Sequence, residues 1–413
     1  MNRENANPWL TVILLSAVYA VSMMDRQIMG ILLEPIKKEL GASDAQMGFL
    51  VGLAFAVFYT FLAIPIAIFA DKGYRRNIIA ASILAWSVMT AVCGLVGSYG
   101  QMALARMGVA IGEAGSSPAS VSIISTLFEQ KRRATALAVF VAGANAGILL
   151  AFLGGGWLLE NVGWRQAFFA VSVPGIILSI LVFVLVVEPK TNTKLNPADH
   201  ISFKDTIRYL VRIPAMRHIL VAKSLSGFVG YGILLWLPTF LVRSHGVSGT
   251  ELGLTLALFV GLGGGIGTLL SGRIADYVAR YGERWRTRSI MIAKLLSVPF
   301  LLGFLLVDNY WLALALYAVP AVLGSYYLAP STALVQDMVD HRMRAVTSAI
   351  TIFLLNLVGM GLGPQGVGLL SDMFAPAYGT DSLRYALACC VLVNIWAAYH
   401  FWRAGVLMNP IAK

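Results

Sequence analysis

EQKRRATALAVFVAGAN, residues 129–145, aligns without a gap to DHRMRAVTSAITIFLLN, residues 340–356. The alignment sets Glu129 against Asp340, Arg133 against Arg344, Ala134 against Ala345 and Asn145 against Asn356. A second pair agrees with it: IAIFADKGYRR (66–76) resembles SGRIADYVARYGER (271–284), with Asp71 opposite Asp276. Apolar helices resemble one another by chance, but charged residues at matching positions do so rarely. The chain reads as two halves built on one plan.

Composition says what the halves are made of. Of 413 residues, 58% are hydrophobic and 12% charged, about half the ~25% charge of a soluble domain. A membrane crossing needs about 20 mostly apolar residues. Such stretches fall near 9–33, 45–70, 78–98, 101–127, 135–159 and 164–187, then 215–242, 250–275, 289–307, 310–336, 346–370 and 383–407. The expectation is an all-α membrane protein with 12 transmembrane helices in two pseudo-symmetric six-helix bundles. Residues 188–214 (EPKTNTKLNPADHISFKDTIRYLVRIP) form the one long polar interval, the linker between an N-terminal bundle (1–187) and a C-terminal bundle (215–413). Its end sets Phe203, Ile207, Tyr209 and Leu210 among Lys204, Arg208 and Arg212, the pattern of an amphipathic helix on a membrane surface. The first apolar stretch has no small-residue cleavage pattern and reads as a retained helix.

The net charge of +11 would suggest nucleic acid in a soluble protein. Here the basic residues crowd into alternate loops. The intervals 71–77, 128–134, 188–217, 278–288 and 337–345 hold 18 Lys and Arg, against Lys37, Lys38, Arg165, Arg243 and Arg384 on the other side. The positive-inside rule places both termini and the linker in the cytoplasm. No nucleic-acid partner is expected.

Few charges lie inside the spans. Of 20 acidic residues only Asp25 and Glu113 do, with Arg26 and Arg106 as basic counterparts. Lys223 and Lys294 sit nearer the cytoplasmic ends and are expected to snorkel to the interface. A charge at bilayer depth costs at least about 2.5–3.5 kcal/mol, so it needs a reason. At about 1.5 Å per residue, Asp25 lies ~12 Å from the outer end of the first span; Arg106 and Glu113 lie ~9 Å and ~20 Å down the fourth. Arg106 and Glu113 are two turns apart and share a face. If the two spans are neighbours, Asp25 meets Arg106, with Glu113 below. Arg26 is turned about 100° from Asp25 and points elsewhere, into a cavity. Such charges either fix helix packing as buried ion pairs or carry protons, since low dielectric favours the neutral form of a carboxyl. The second reading is adopted, with Asp25 and Glu113 as the proton-coupling pair.

Other chemistry finds no foothold. None of the five histidines falls within five residues of another or of Cys93, Cys389 or Cys390, and no HExxH, GxSxG, CxxC or P-loop pattern occurs. No metal, cofactor or enzymatic activity is expected. The glycine runs LGGG (153–156), GLGGGIG (261–267), GANAG (143–147) and GMGLG (359–363) lie within spans, where small residues let helices approach.

The stretch AIFADKGYRR (67–76) resembles the signature that follows the second helix of the major facilitator superfamily. Asp71, Lys72, Gly73, Arg75 and Arg76 fit it, while Ala67 stands in place of the usual first glycine. The resemblance implies a cytoplasmic gate in which this segment meets the ends of helices 4 and 11. Asp71 would pair with Arg133, Arg75 or Arg76 would meet Glu129, and Asp276, Asp340 and Arg344 would form a weaker mirror. Within that superfamily YAVSMMDRQIMGILLEPIKKEL (19–40), AWSVMT (85–90), ARMGVAIGEAGSSPAS (105–120) and GWRQAFFAVSVPG (163–175) resemble the N-terminal half of bacterial Spinster-type transporters. GMGLGPQ (359–365) lacks the acid that family carries in helix 11. The resemblance implies proton-linked movement of sphingolipid- or lysophospholipid-like amphipaths across a bacterial inner membrane, by a monomer among membrane lipids. Arg26 and Arg106 become charge partners or headgroup ligands, and Tyr59, Asn145, Tyr231, Tyr326 and Asn356 candidate cavity residues. The alternative is a proton symporter of small organic anions of sugar-acid type, for which two interior arginines are few cations.

Overall fold

The computed structural model describes residues 7–70, 73–188 and 203–408. These are helical nearly throughout, and ten helical segments are each long and apolar enough to cross a membrane. One of the ten, Val346–Leu407, is turned back by a 3-10 corner at Gly379–Asp381 and counts as two. A further pass, Tyr99–Glu113 followed by Ser116–Leu127, is broken in the middle and so falls short of the length of one span. Counted this way the described residues make the twelve expected passes.

In chain order the passes begin with Pro8–Leu40, a second running from Asp44 through the π-helical turn Phe49–Leu53 to Ala70, Arg75–Cys93, the broken fourth, Gln130–Asn161 and Gly163–Leu185. After a short helix, Phe203–Arg212, the seventh is Pro214–His245. The eighth runs from Gly249 through π-helical Ala257–Gly263 to Ala279. Glu283–Leu306, Tyr310–Asp337 with a break before Leu328, Arg344–Tyr378 and Ser382–Leu407 complete the set.

The repeat is visible in the backbone. Gly41 and Gly246 close passes 1 and 7 with φ of 62° and 66°, the left-handed conformation that glycine adopts without strain. Two residues on, Ser43 and Ser248 stand at the N-caps of the next passes. Both of those passes carry a π-helical turn near their start.

Two compact units emerge, Met1–Thr193 with Val247–Ala257, and Lys194–Gly246 with Leu258–Lys413. In the first, pass 1 packs on passes 5 and 6, and pass 3 on passes 4 and 6. In the second, pass 7 packs on passes 11 and 12, and pass 9 on passes 10 and 12. Helix Phe203–Arg212 forms where expected. It buries Thr206 and Leu210, the latter in a cluster with Met216, Ile219 and Leu334, and leaves Phe203, Ile207 and Tyr209 exposed.

Small residues set the spacing. A Cβ at Gly143 or Gly147 would collide with the backbone of Ser16 or Ala20 on pass 1, and one at Gly363 with the Phe228 carbonyl on pass 7. Helices that touch through backbone need glycine at the contact. Gly147→Ala should therefore lower stability by about 1–3 kcal/mol through overpacking. Gly154→Ala should not, because nothing lies within 4 Å of that added methyl. Thermal unfolding of the two variants in detergent checks the contrast.

Candidate functional site

Pass 4 breaks where its sequence requires it. Pro118 has no N–H and its ring opposes the carbonyl of Ala114, so the helix ends at Glu113 and restarts at Ser116. Gly108, Gly112 and Gly115 press this pass against Met89, Trp86 and Ser82 of pass 3. Glu113 and Arg106 are thereby held in the interior of the first unit.

Two ion pairs occupy it. Arg106 Nη1 donates to Asp25 Oδ2 at 3.0 Å, and Thr90 of pass 3 donates to Oδ1 at 2.6 Å. Glu113 Oε2 accepts from Arg26 Nε at 2.5 Å and from Ser22 Oγ at 2.9 Å. Asp25, Arg106 and Glu113 are 1–2% exposed, whereas the Arg26 side chain is 19% exposed. Phe55 lies between the pairs, its ring centre 5.0 Å from the Arg26 guanidinium and 5.5 Å from that of Arg106. Tyr59 covers Arg26 at 4.5 Å. Both distances to Arg26 are within cation–π range. Glu113 Oε1 and Arg106 Nε are buried with no hydrogen-bond partner among the described groups.

The Asp25–Arg106 meeting matches the depth expectation. Arg26, turned away from Asp25 as expected, meets Glu113 while staying partly exposed, because its long side chain spans the height to an acid two turns below Arg106. Ser22, four residues earlier and on the same face as Arg26, is the sequence signal that could have located this pair. Thr90 closes the AWSVMT stretch, but a lone threonine in an apolar helix carries no charge to mark its contact with Asp25.

The remaining candidates scatter. Asn145 is exposed on pass 5, and Asn356 is half-buried in the π-helical stretch Leu355–Leu362 of pass 11. Tyr231 is half-buried on pass 7, and Tyr326 is buried beside Tyr327 in a core cluster of the second unit. Lys223 and Lys294 do not snorkel. Both are buried, Lys223 donating to Thr332 Oγ1 at 2.6 Å and Lys294 lying 4.4 Å from the Tyr327 ring centre.

At the expected gate, Asp71 and Lys72 lie outside the described residues. Gly73 makes the turn with φ 99°. Arg75 does not meet Glu129. It is buried, pairs with Glu188 at 3.0 Å and donates to Ser122 and Thr126 at 3.1 and 3.2 Å. The Arg76 backbone N–H donates to the other oxygen of Glu188 at 2.7 Å. Glu188 precedes Pro189, a position that disfavours helix, and the freed chain end brings its carboxylate to the arginines. Glu129 is exposed at the N-cap of pass 5, and Arg133, Asp276, Asp340 and Arg344 are exposed. Asp276 and Arg344 form no ion pair with each other.

Residues 15–364 match the Major Facilitator Superfamily. This chain is a member of that superfamily. The facilitator is 33% identical to an MFS-type efflux pump of Mycolicibacterium smegmatis over 96% of this chain and 92% of the other. It is 26% identical to a probable galactarate/D-glucarate transporter, GudP, of Bacillus subtilis, over 80% and 78% of the two chains. Its structure is similar to the crystal structure of a bacterial homolog of the human lysosomal transporter Spinster, with TM-score 0.88, 26% identity and 98% of both chains covered. It is an integral membrane transporter of a small molecule and not an enzyme.

Breaking a buried pair costs about 3–5 kcal/mol, because the remaining charge is stranded. Arg106→Met should lose stability on that scale, and adding Asp25→Asn should restore much of it. Thermal melting of the single and double variants measures the coupling.

Proposed function

We propose that this facilitator is a proton-coupled secondary carrier of a lipid-like amphipath, of sphingolipid or lysophospholipid class, working by alternating access. The observation that carries the proton assignment is Glu113. One oxygen holds Arg26 and Ser22 while the other is buried and bare. A proton on the bare oxygen leaves those two hydrogen bonds in place but removes the negative charge that balances Arg26. Arg26, partly exposed, is then available to an anionic headgroup. Asp25, engaged by Arg106 and Thr90, is the second member of the pair. The likeness to a bacterial Spinster homolog supports the lipid-like substrate, and few interior charges suit a cargo that is mostly tail.

In this reading the protein is a monomer in a bacterial inner membrane, with both termini cytoplasmic. The segment from Asp71 to Arg76, with Glu129, Arg133, Asp276, Asp340 and Arg344, closes the cytoplasmic side. A second reading, proton-linked transport of a sugar acid, is favoured by the likeness to GudP.

Proteoliposomes under an imposed pH gradient test both. Lysophospholipid flux should follow the gradient, and sugar-acid flux in its place would support the second reading. Asp25→Asn and Glu113→Gln should each abolish gradient-driven flux while the purified protein stays folded. Undiminished flux in Glu113→Gln would remove the proton assignment.

A further inference from the structure

Passes 7, 9 and 10 are the second unit's counterparts of passes 1, 3 and 4. Pass 10 breaks before Pro330 as pass 4 breaks before Pro118. The first unit fills this region with paired charges, but the second holds Lys223 and Lys294, both buried. The two acids inside spans, Asp25 and Glu113, belong to the first unit. Lys294 rests on the Tyr327 ring, a recognised seat for an ammonium.

Lys223 has a different setting. It lines a cavity of about 210 Å³ together with Thr332, Gln336, Ser348 and Thr351, far more than the ~10–15 Å³ that one water needs. Thr332 Oγ1 accepts from Lys223 and donates to the Leu328 carbonyl at 2.6 Å, so its one O–H is already used and it offers no donor to a ligand. An ammonium has three donors, and this bond uses one. Gln336 Nε2 donates to Ser348 Oγ at 2.7 Å, which leaves the Ser348 O–H as a donor. The rest of the wall is apolar, including Ile352 and Leu355, and no acidic side chain lines the cavity among the described residues. A buried ammonium with spare donors and no carboxylate beside it is costly unless it sheds its proton or an anion joins it, and only the second uses the free donors that the cavity presents.

We propose that Lys223, with Ser348 as a second donor, binds the oxyanion of the transported substrate, a carboxylate or a phosphate, in this cavity of the second unit. This rests on the reading of the protein as a carrier and narrows its substrate to anions. It also supplies the further cation that two arginines alone did not offer an anion carrier. The apolar wall beside Lys223 would take the first carbons of a lipid tail, while Gln336, Ser348 and Thr351 are the groups that could meet the hydroxyls of a sugar acid.

Equilibrium binding to purified protein in detergent, with no pH gradient, keeps this test apart from proton coupling. The probes are two matched pairs, lysophosphatidate with the monoacylglycerol of the same tail, and galactonate with galactitol. One anion should bind and its neutral partner should bind at least tenfold more weakly. Binding of lysophosphatidate points to a lipid headgroup, binding of galactonate to a sugar acid. Lys223→Met should weaken the anion at least tenfold and leave the neutral partner unchanged, and Lys223→Arg should retain most of the affinity. Wild-type anion affinity in a folded Lys223→Met, or no preference for either anion in the wild type, overturns the proposal. If Lys223→Met fails to fold, Ser348→Ala decides: a several-fold loss for the anion alone is expected, and no loss overturns it. Gradient-driven flux that depends on Glu113 but not on Lys223 would leave the carrier standing and remove the anion site.

Discussion

Burying two carboxylates and two guanidiniums inside a bundle meant for lipid is tolerable only if each charge meets its opposite within hydrogen-bond distance. In the first unit that condition is satisfied twice, at Asp25–Arg106 and Glu113–Arg26, and much of the local architecture serves it. Glycines at 108, 112 and 115 bring pass 4 against pass 3. That approach seats Thr90 on Asp25. Pro118 ends the helix just past Glu113. Phe55 sits against both cations. Loosening any of these contacts would strand a charge in low dielectric.

The two pairs are unequal in how fully their groups are engaged. Asp25 has both oxygens engaged, by Arg106 and Thr90. Glu113 has one oxygen bare, and its partner Arg26 is the most exposed of the four. A structural ion pair wants every lone pair satisfied.

The two halves share a plan but not a charge pattern. Corresponding passes carry corresponding caps, π-helical turns and proline breaks, yet the first unit holds paired acids and arginines where the second holds lysines and hydroxyls. Backbone devices such as a left-handed glycine or a proline break survive duplication because the fold needs them in both halves.

Much of this was legible from residue order. Hydropathy alone defined twelve spans, because a bilayer admits backbone only when helices satisfy it internally. The 129–145 and 340–356 repeat divided the chain, and helical rise placed Asp25 level with Arg106. What tertiary structure decided were interactions that turn on side-chain reach. Arg26 is one residue from Asp25 yet belongs to Glu113; Arg75 bypasses Glu129 for Glu188; Lys223 and Lys294 turn inward, not to the interface. Long flexible side chains have several partners within range, and sequence fixes only where each stem begins. Which partner is met depends on how closely neighbouring helices approach, and that distance is set by packing.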